Sequence, residues 1–332
     1  MITPKQAHSS AGEDVHRPLL VGPKRQHFLP QFYLEGFTSD GRLAVYDRKQ
    51  NKFRLEQPKN TAVETQFYTV RDADDRPRYE VEAMLSAFES KAAPIIGKLV
   101  AQKQIDDNER ANLAIFVALA AMRTPDFFNS LELFREARIL DITKQLYAEV
   151  DAVAATLRKN PQFADLSDKD IHEDAKLMVQ MAQNDGLEVG VNKNWTVKKA
   201  IDTAFNVAPL LKSRDWIVFV RESDKKSFIT SDAPVVLISE GASANGFCDV
   251  GYGSAKAIIL FPLTESCMLV MRGNGGNLNW VPANTDAVRL LNLRVASQCK
   301  SYIVGRDEAL LRSLVENLAL SGKKWQPKMQ AQ

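Results

Sequence analysis

Hydrophobic and polar positions change their period twice along this chain, which separates three kinds of segment. Residues 1–22 are polar, rich in Ser, Gly and His, and carry no period, which predicts a disordered tail that includes His8 and His16. Residues 321–332 are polar again and read as a second tail. Between them, Phe28, Phe32, Tyr33 and Phe37 cluster as on one short helix, with Pro30 in its first turn and Gly36 weakening its end. "SDGR" (39–42) is a turn, and "LAVYDR" with "KFRLEQ" reads as a hairpin across "KQN". "TQFYTV" (65–70) reads as a third strand.

A helical period follows. Val81, Met84, Leu85, Phe88, Ala92, Ile95, Ile96 and Leu99 recur at three and four, which is one helix face, and Pro94 is expected to kink it. "NLAIFVALAAM" (112–122) is apolar almost all round and predicts a central buried helix. At "RTPD", Thr124 is placed to cap a new helix, with Pro125 at its first position and Asp126 at the positive end of its dipole. That helix is expected to run from 125 to 158, with two more at 168–184 and 196–214.

After Arg214 the runs become short and β-branched: "DWIVFVRE", "SFITSD", "PVVLIS", "KAIILFPL" and "CMLVMRG". "MRGNGGN" (271–277) lacks the Lys-Ser/Thr ending of a phosphate loop and reads as a hairpin loop. A helix capped by Asn284, a closing strand "SYIVG" and a terminal helix complete the pattern. The prediction is an α+β fold: a central helical block (76–213) flanked by an N-terminal helix and β-hairpin element (23–75) and a C-terminal, mostly antiparallel sheet with two helices (214–320). All three are expected to fold as one unit, with the two β segments sharing a sheet.

Composition narrows the function classes. Among 332 residues, 45% are hydrophobic and 25% charged, as in ordinary globular chains, and the net charge of +2 argues against a strongly basic nucleic-acid binder. Residues 24–59 hold eight Lys/Arg against four acids, a local excess able to attract a phosphate. Cys248, Cys267 and Cys299 lie far apart with no metal-site spacing, which fits a reducing cytoplasm. No run approaches the roughly 18 apolar residues that span a bilayer, so no membrane role is expected.

Three residues stand out as candidate catalysts. His27 titrates in the range acid–base chemistry needs. Arg123 ends an apolar helix where an unpartnered guanidinium is costly, so it must meet Glu89 or Asp232, or a phosphate or carboxylate ligand. Asp232, with Ser231, sits between two strands, either as a plain turn or as a group delivered to the sheet's rim. Asp47, Glu64, Glu82 and Glu89 could gather with Asp232 into a Mg²⁺ site of hard oxygen ligands.

"RQHFLPQFYLEGF", "LAVYDR", "MRTPDF", "RDWIVF", "FITSDAPVVL", "FPLTE" and "LLNLRVASQCKSYIV" occur in an order that resembles a widespread, largely bacterial family known as domain of unknown function 4238. The resemblance spans residues 24–305 and implies an organisation without a mechanism. It marks His27, Pro30, Tyr33, Arg123, Ser231, Asp232, Pro234 and Asn292. Two functional readings stand. In the first, the chain is a hydrolase or nuclease acting on a phosphate-bearing small molecule or nucleic acid, in phage defence or as a toxin. His27, Arg123 and Asp232 then carry the chemistry, and Arg25, Tyr33, Ser231 and Asn292 touch substrate. In the second, the same polar residues form a structural network in a binding or sensing module.

Overall fold

The computed structural model describes residues 19–184, 189–190, 192–240 and 250–320. The expected tails at 1–18 and 321–332, and Cys248, lie outside the described residues.

The N-terminal element opens with strand β1 (Arg25–His27) and helix α1 (Gln31–Glu35), with Pro30 as its N-cap and Gly36 as its C-cap. The hairpin forms as the pattern predicts: β2 (Leu43–Asp47) pairs antiparallel with β3 (Lys52–Glu56), from Leu43↔Glu56 to Asp47↔Lys52. The expected strand at 65–70 does not form. β4 (Val63–Thr65) ends where Gln66 turns to φ 52°, and it pairs with β1 rather than with the hairpin. Phe67 and Tyr68 leave the strand to bury their rings against Phe128. β5 (Val70–Arg71) and β6 (Pro77–Arg78) make a separate two-stranded pair.

Helix α2 (Glu80–Val100) runs through Pro94 without interruption. α3 (Asp107–Met122) starts at a capping box between Asp106 and Glu109 and is buried on nearly every side, as its apolar sequence requires. Thr124 caps α4 (Pro125–Leu146) by accepting from the Phe127 amide. The helix expected to reach 158 instead stops at Tyr147, and α5 (Val150–Leu157) begins anew. α5 and α6 (Asp168–Gln183) close a small cluster of their own around Val153, Leu157 and Ile171. α7 (Lys193–Lys212) returns along α3.

The C-terminal part holds β7 (Asp215–Arg221), β8 (Thr230–Ser231), β9 (Val236–Ser239), β10 (Ala257–Pro262), β11 (Cys267–Arg272) and β12 (Leu278–Ala283). α8 (Thr285–Gln298), capped by Asn284, then leads to β13 (Tyr302–Gly305) and α9 (Glu308–Leu320). One sheet has the order β12-β7-β11-β10-β9, and the other β3-β2-β13-β8. The N-terminal hairpin and the C-terminal β segment therefore do share a sheet, and the fold is α+β.

The glycine-rich loop after β11 is not a simple hairpin turn. It carries the chain around the start of β7, so β12 lies parallel to β7 on the side away from β11. The Asp215 carboxylate holds this wrap by accepting from the amides of Gly275 and Asn277. A Cβ on Gly275 would sit 2.5 Å from Asp215 Oδ1, which is why this position needs glycine.

Strand alternation divides the core. Trp216 and Val218 face a large cluster formed with the helical block and with Phe28, Tyr33 and Phe37. Ile217 and Phe219 face a second cluster with α8, α9 and the four-stranded sheet. The first cluster draws on all three predicted segments. Among the described residues no single helix is long and apolar enough to cross a membrane; α3 and α4 pass together on composition, but they meet at 64° and α3 is buried.

Candidate functional site

β8 brings Ser231 and Asp232 to the edge of the four-stranded sheet, beside the start of β13. Ser231 Oγ accepts from the Ala233 amide and donates to its carbonyl, a local turn that sets the entry to Pro234. The Asp232 carboxylate accepts from the amides of Lys300 (3.0 Å) and Ser301 (2.7 Å). It thereby fixes the segment that leads to Tyr302.

Asp232, Lys300, Ser301 and Tyr302 form one wall of an open groove of about 500 Å³. The opposite walls come from the hairpin (Lys49, Arg54, Glu56), from Asn60 to Glu64, and from the first turn of α4 (Pro125, Asp126, Asn129). Most charges on these walls are paired. Arg54 bridges Asp47 and Glu56, and Lys300 Nζ meets Asp126 Oδ1 at 2.9 Å. Two groups differ. The Tyr302 hydroxyl is buried and has no hydrogen-bond partner among the described residues, and burial holds it far above the ordinary phenol range. Glu64 is pushed above the usual carboxylate range by loss of solvent, a shift that the Lys193 charge partly offsets.

A second cluster lies across an aromatic wall, in which Phe67 stacks on Phe128 with centroids 4.7 Å apart. Arg123, the C-cap of α3, is 3% exposed, and its Nη1 donates to Glu89 Oε1 of α2 at 2.6 Å. This pair is one of the two structural partnerships the sequence allows for Arg123. Its Nε and Nη2 have no partner among the described residues. Glu82, two turns before Glu89 on α2, has its carboxyl pushed up to about 7, first by burial and then by the Glu89 charge, against the pull of Arg123. His27 is half-buried, and its Nε2 has no partner among the described residues. Burial lowers its pKa, and the carbonyls of Lys59 and Pro58 and the charge of Glu89 oppose that shift.

The candidate residues thus divide between two places. His27 and Arg123 surround Glu89, whereas Asp232 lines the groove, where His27 and Arg123 do not. Arg25 stands at the surface and donates to Asn60 Oδ1 at 3.2 Å. Tyr33, Ser231 and Asn292 are buried with their polar atoms turned into the fold. The Tyr33 hydroxyl meets Thr230 Oγ1 and donates to the Pro262 carbonyl. Asn292 accepts from the Ile229 amide and donates to the Ser227 carbonyl. In this structure none of these three presents a group to a ligand.

The Mg²⁺ arrangement is not met: among the described residues no three His, Cys, Asp or Glu side chains come together as ligands, and Asp47 is bridged by Arg54, Glu89 by Arg123, and Asp232 accepts from backbone amides. Tyr302, Lys300 and Glu64 stand out only in three dimensions as groove residues. Glu82 had a readable signal: an acid seven residues before Glu89 on the face that also carries Leu85 and Ala92.

Residues 25–309 match the model of the family described as Protein of unknown function (DUF4238), and the chain belongs to that family. No curated protein and no solved structure matches the chain.

Proposed function

We propose that the groove takes a phosphate-bearing ligand, a small molecule or the end of a nucleic acid, and that the protein hydrolyses it. It is then a nuclease where the ligand is nucleic acid. The observation that carries this reading is Tyr302 on the wall of an open groove, its hydroxyl buried and unpartnered among the described residues. An unsatisfied buried hydroxyl costs about 1–3 kcal/mol, and a ligand oxygen offsets that cost. Lys49 brings positive charge to the groove, while Arg54 and Lys300 bring theirs already paired with Glu56 and Asp126. The first turn of α4 adds the positive end of a helix dipole. Glu64 holds its proton closer to neutral pH than an ordinary carboxyl, as an acid–base group requires. The resemblance to a largely bacterial family makes phage defence or a toxin-like role the setting we propose, and the buried free thiols of Cys267 and Cys299 fit a reducing cytoplasm.

A non-catalytic binding or sensing role is the second reading. It is favoured by how Tyr33, Ser231, Asn292 and Arg123 spend their polar atoms pinning segments together.

The test is incubation with a panel of nucleoside phosphates and single-stranded oligonucleotides, with phosphate release and strand cleavage measured for wild type, Glu64→Gln and Tyr302→Phe. Hydrolysis that falls about a hundredfold or more in Glu64→Gln supports the first reading. Binding weakened by Tyr302→Phe, with no turnover in wild type, selects the second. Absence of binding to every phosphate in the panel overturns the first.

A further inference from the structure

We propose that the groove takes one nucleotide of a single-stranded nucleic acid, and that neighbouring phosphates of the strand lie against a lip of free cations, Arg25, Lys49 and Lys52. This rests on the function proposed above and narrows its substrate class from any phosphate-bearing molecule to a strand.

The charges inside the groove answer one another. Arg54 meets Asp47 at 2.9 Å and Glu56 at 2.6 Å, and Lys300 meets Asp126 at 2.9 Å. The lining carries the acids Glu56, Glu64, Asp126 and Asp232 against the cations Lys49, Arg54 and Lys300, so its interior has no surplus of positive charge. A small phosphate enclosed there gains little from net charge.

The free positive charge stands at the margin. Lys49 lines the groove at the hairpin turn and is exposed. Lys52 is exposed and shares a face of β3 with Arg54 and Glu56, both groove residues, because alternate residues of a strand point the same way. Phe53, between them, turns instead to the cluster with α8 and α9. Beside the next wall, exposed Arg25 reaches the amide oxygen of Asn60, a neutral acceptor that leaves its charge uncompensated. None of the three cations has an ion pair among the described residues. A ligand must cross the lip to meet them, which a chain of phosphates does and a single nucleotide seated inside does not.

The interior suits a base. Phe28, Ala62 and Val63 supply apolar lining, while Asn60 and Asn129 bring amides of the kind that pair with donors and acceptors on base edges. At about 500 Å³ the groove has the size of a small-molecule site, enough for one nucleotide and too little for a helix. In a duplex the bases are stacked and paired, and one must be flipped out before a pocket reads it. A single strand splays its bases without that cost. Phosphate contacts on the lip then hold the strand, and contacts inside the groove select the base.

The experiment measures binding to the full chain by fluorescence anisotropy. The probe is a labelled mixed-sequence oligonucleotide of about twelve residues, as DNA and as RNA. Its duplex and a mixture of the four nucleoside monophosphates serve as competitors. The expected result is that the strand binds at least tenfold more tightly than either competitor. In the triple variant Arg25→Gln, Lys49→Gln, Lys52→Gln, the affinity for the strand should fall about tenfold or more. The slope of log affinity against log salt should shrink by about two, since each phosphate contact on a single strand contributes about 0.7. Should the triple variant unfold at lower urea than wild type, Lys52→Gln alone carries the test, with a slope change of about 0.7. A strand bound no better than the monophosphates, a preference for the duplex, or a salt slope unchanged in the variants overturns the inference. Monophosphate binding in those cases leaves the groove a small-molecule site and the functional reading intact. Binding of none of these probes overturns the inference and the phosphate reading together.

Discussion

Two buried polar residues make opposite predictions, because one is satisfied and the other is not. Asn292 is fully buried and closes hydrogen bonds to the Ile229 amide and the Ser227 carbonyl. Asn292→Ala leaves both backbone groups stranded, and urea denaturation should show a loss of about 2–4 kcal/mol. The Tyr302 hydroxyl has no partner to lose among the described residues. Tyr302→Phe should therefore leave the midpoint of unfolding unchanged or slightly raised while weakening phosphate-ligand binding about tenfold, one hydrogen bond's worth. A stability loss like that of Asn292→Ala would show that the hydroxyl is engaged. Arg214 makes a related point. It is 1% exposed and is held by the carbonyls of Tyr252, Ser254, Ala257 and Gly273. Backbone carbonyls alone thus engage both terminal nitrogens of this buried cation, although its Nε, like Nε and Nη2 of Arg123, has no partner among the described residues.

Among elements, the legible parts are those whose cause is local. α3 and α4 were readable because the apolar run, Thr124, Pro125 and Asp126 act on neighbours a few residues away. Thr124→Ala should cost about 1 kcal/mol, the usual loss for an N-cap, read as a shift in the urea midpoint with unchanged slope. Because that turn lines the groove, ligand affinity should fall as well. The elements that escaped the sequence are held by remote partners. β12, "LNWVPA", contains Pro282 and an asparagine, and is a strand because it lies parallel to β7 and because Trp280 Nε1 donates to the Leu99 carbonyl. β1 exists because β4 pairs with it, 36 to 40 residues further on, from His27↔Val63 to Arg25↔Thr65. The wrap around Asp215 was misread for the same reason: glycine richness announces a turn but not what the turn encircles. Gly275→Ala forces a methyl against the Asp215 carboxylate, and should loosen β12 and lower the thermal midpoint. A Gly275→Ala protein as stable as wild type would show that the loop closes without that contact. The site divided along the same line. Arg123 and Asp232 were visible as polar residues in apolar settings, while Tyr302 and Lys300 gained meaning only when β13 came to rest beside β8.

For the whole molecule, His27 and Glu82 give the pH dependence two opposing slopes. The pKa of His27 is lowered below its ordinary 6.5 by burial. Below pH 6.5 the unfolded chain therefore binds more protons at this site, and the contribution of His27 is lost as pH falls through its folded pKa. Glu82 is raised from 4.5 to about 7, so the folded chain binds more protons between those values. Its contribution is fully present below pH 4.5 and is lost as pH rises through about 7. Below pH 6.5 and above the folded pKa of His27 the two oppose each other, which flattens the wild-type profile there. Removing either group exposes the other. The stability of Glu82→Gln relative to wild type should rise from pH 5 to pH 8, because the substitution fixes the neutral form that the fold prefers. The stability of His27→Gln relative to wild type should rise in the other direction, as pH falls below 6.5. Urea denaturation at several pH values measures both, and the sign of each slope is the test. A Glu82→Gln difference that stays constant with pH would mean that this carboxyl titrates alike in the folded and unfolded chains. The charge cluster around Arg123 would then be a static pin between α2 and the α3–α4 corner.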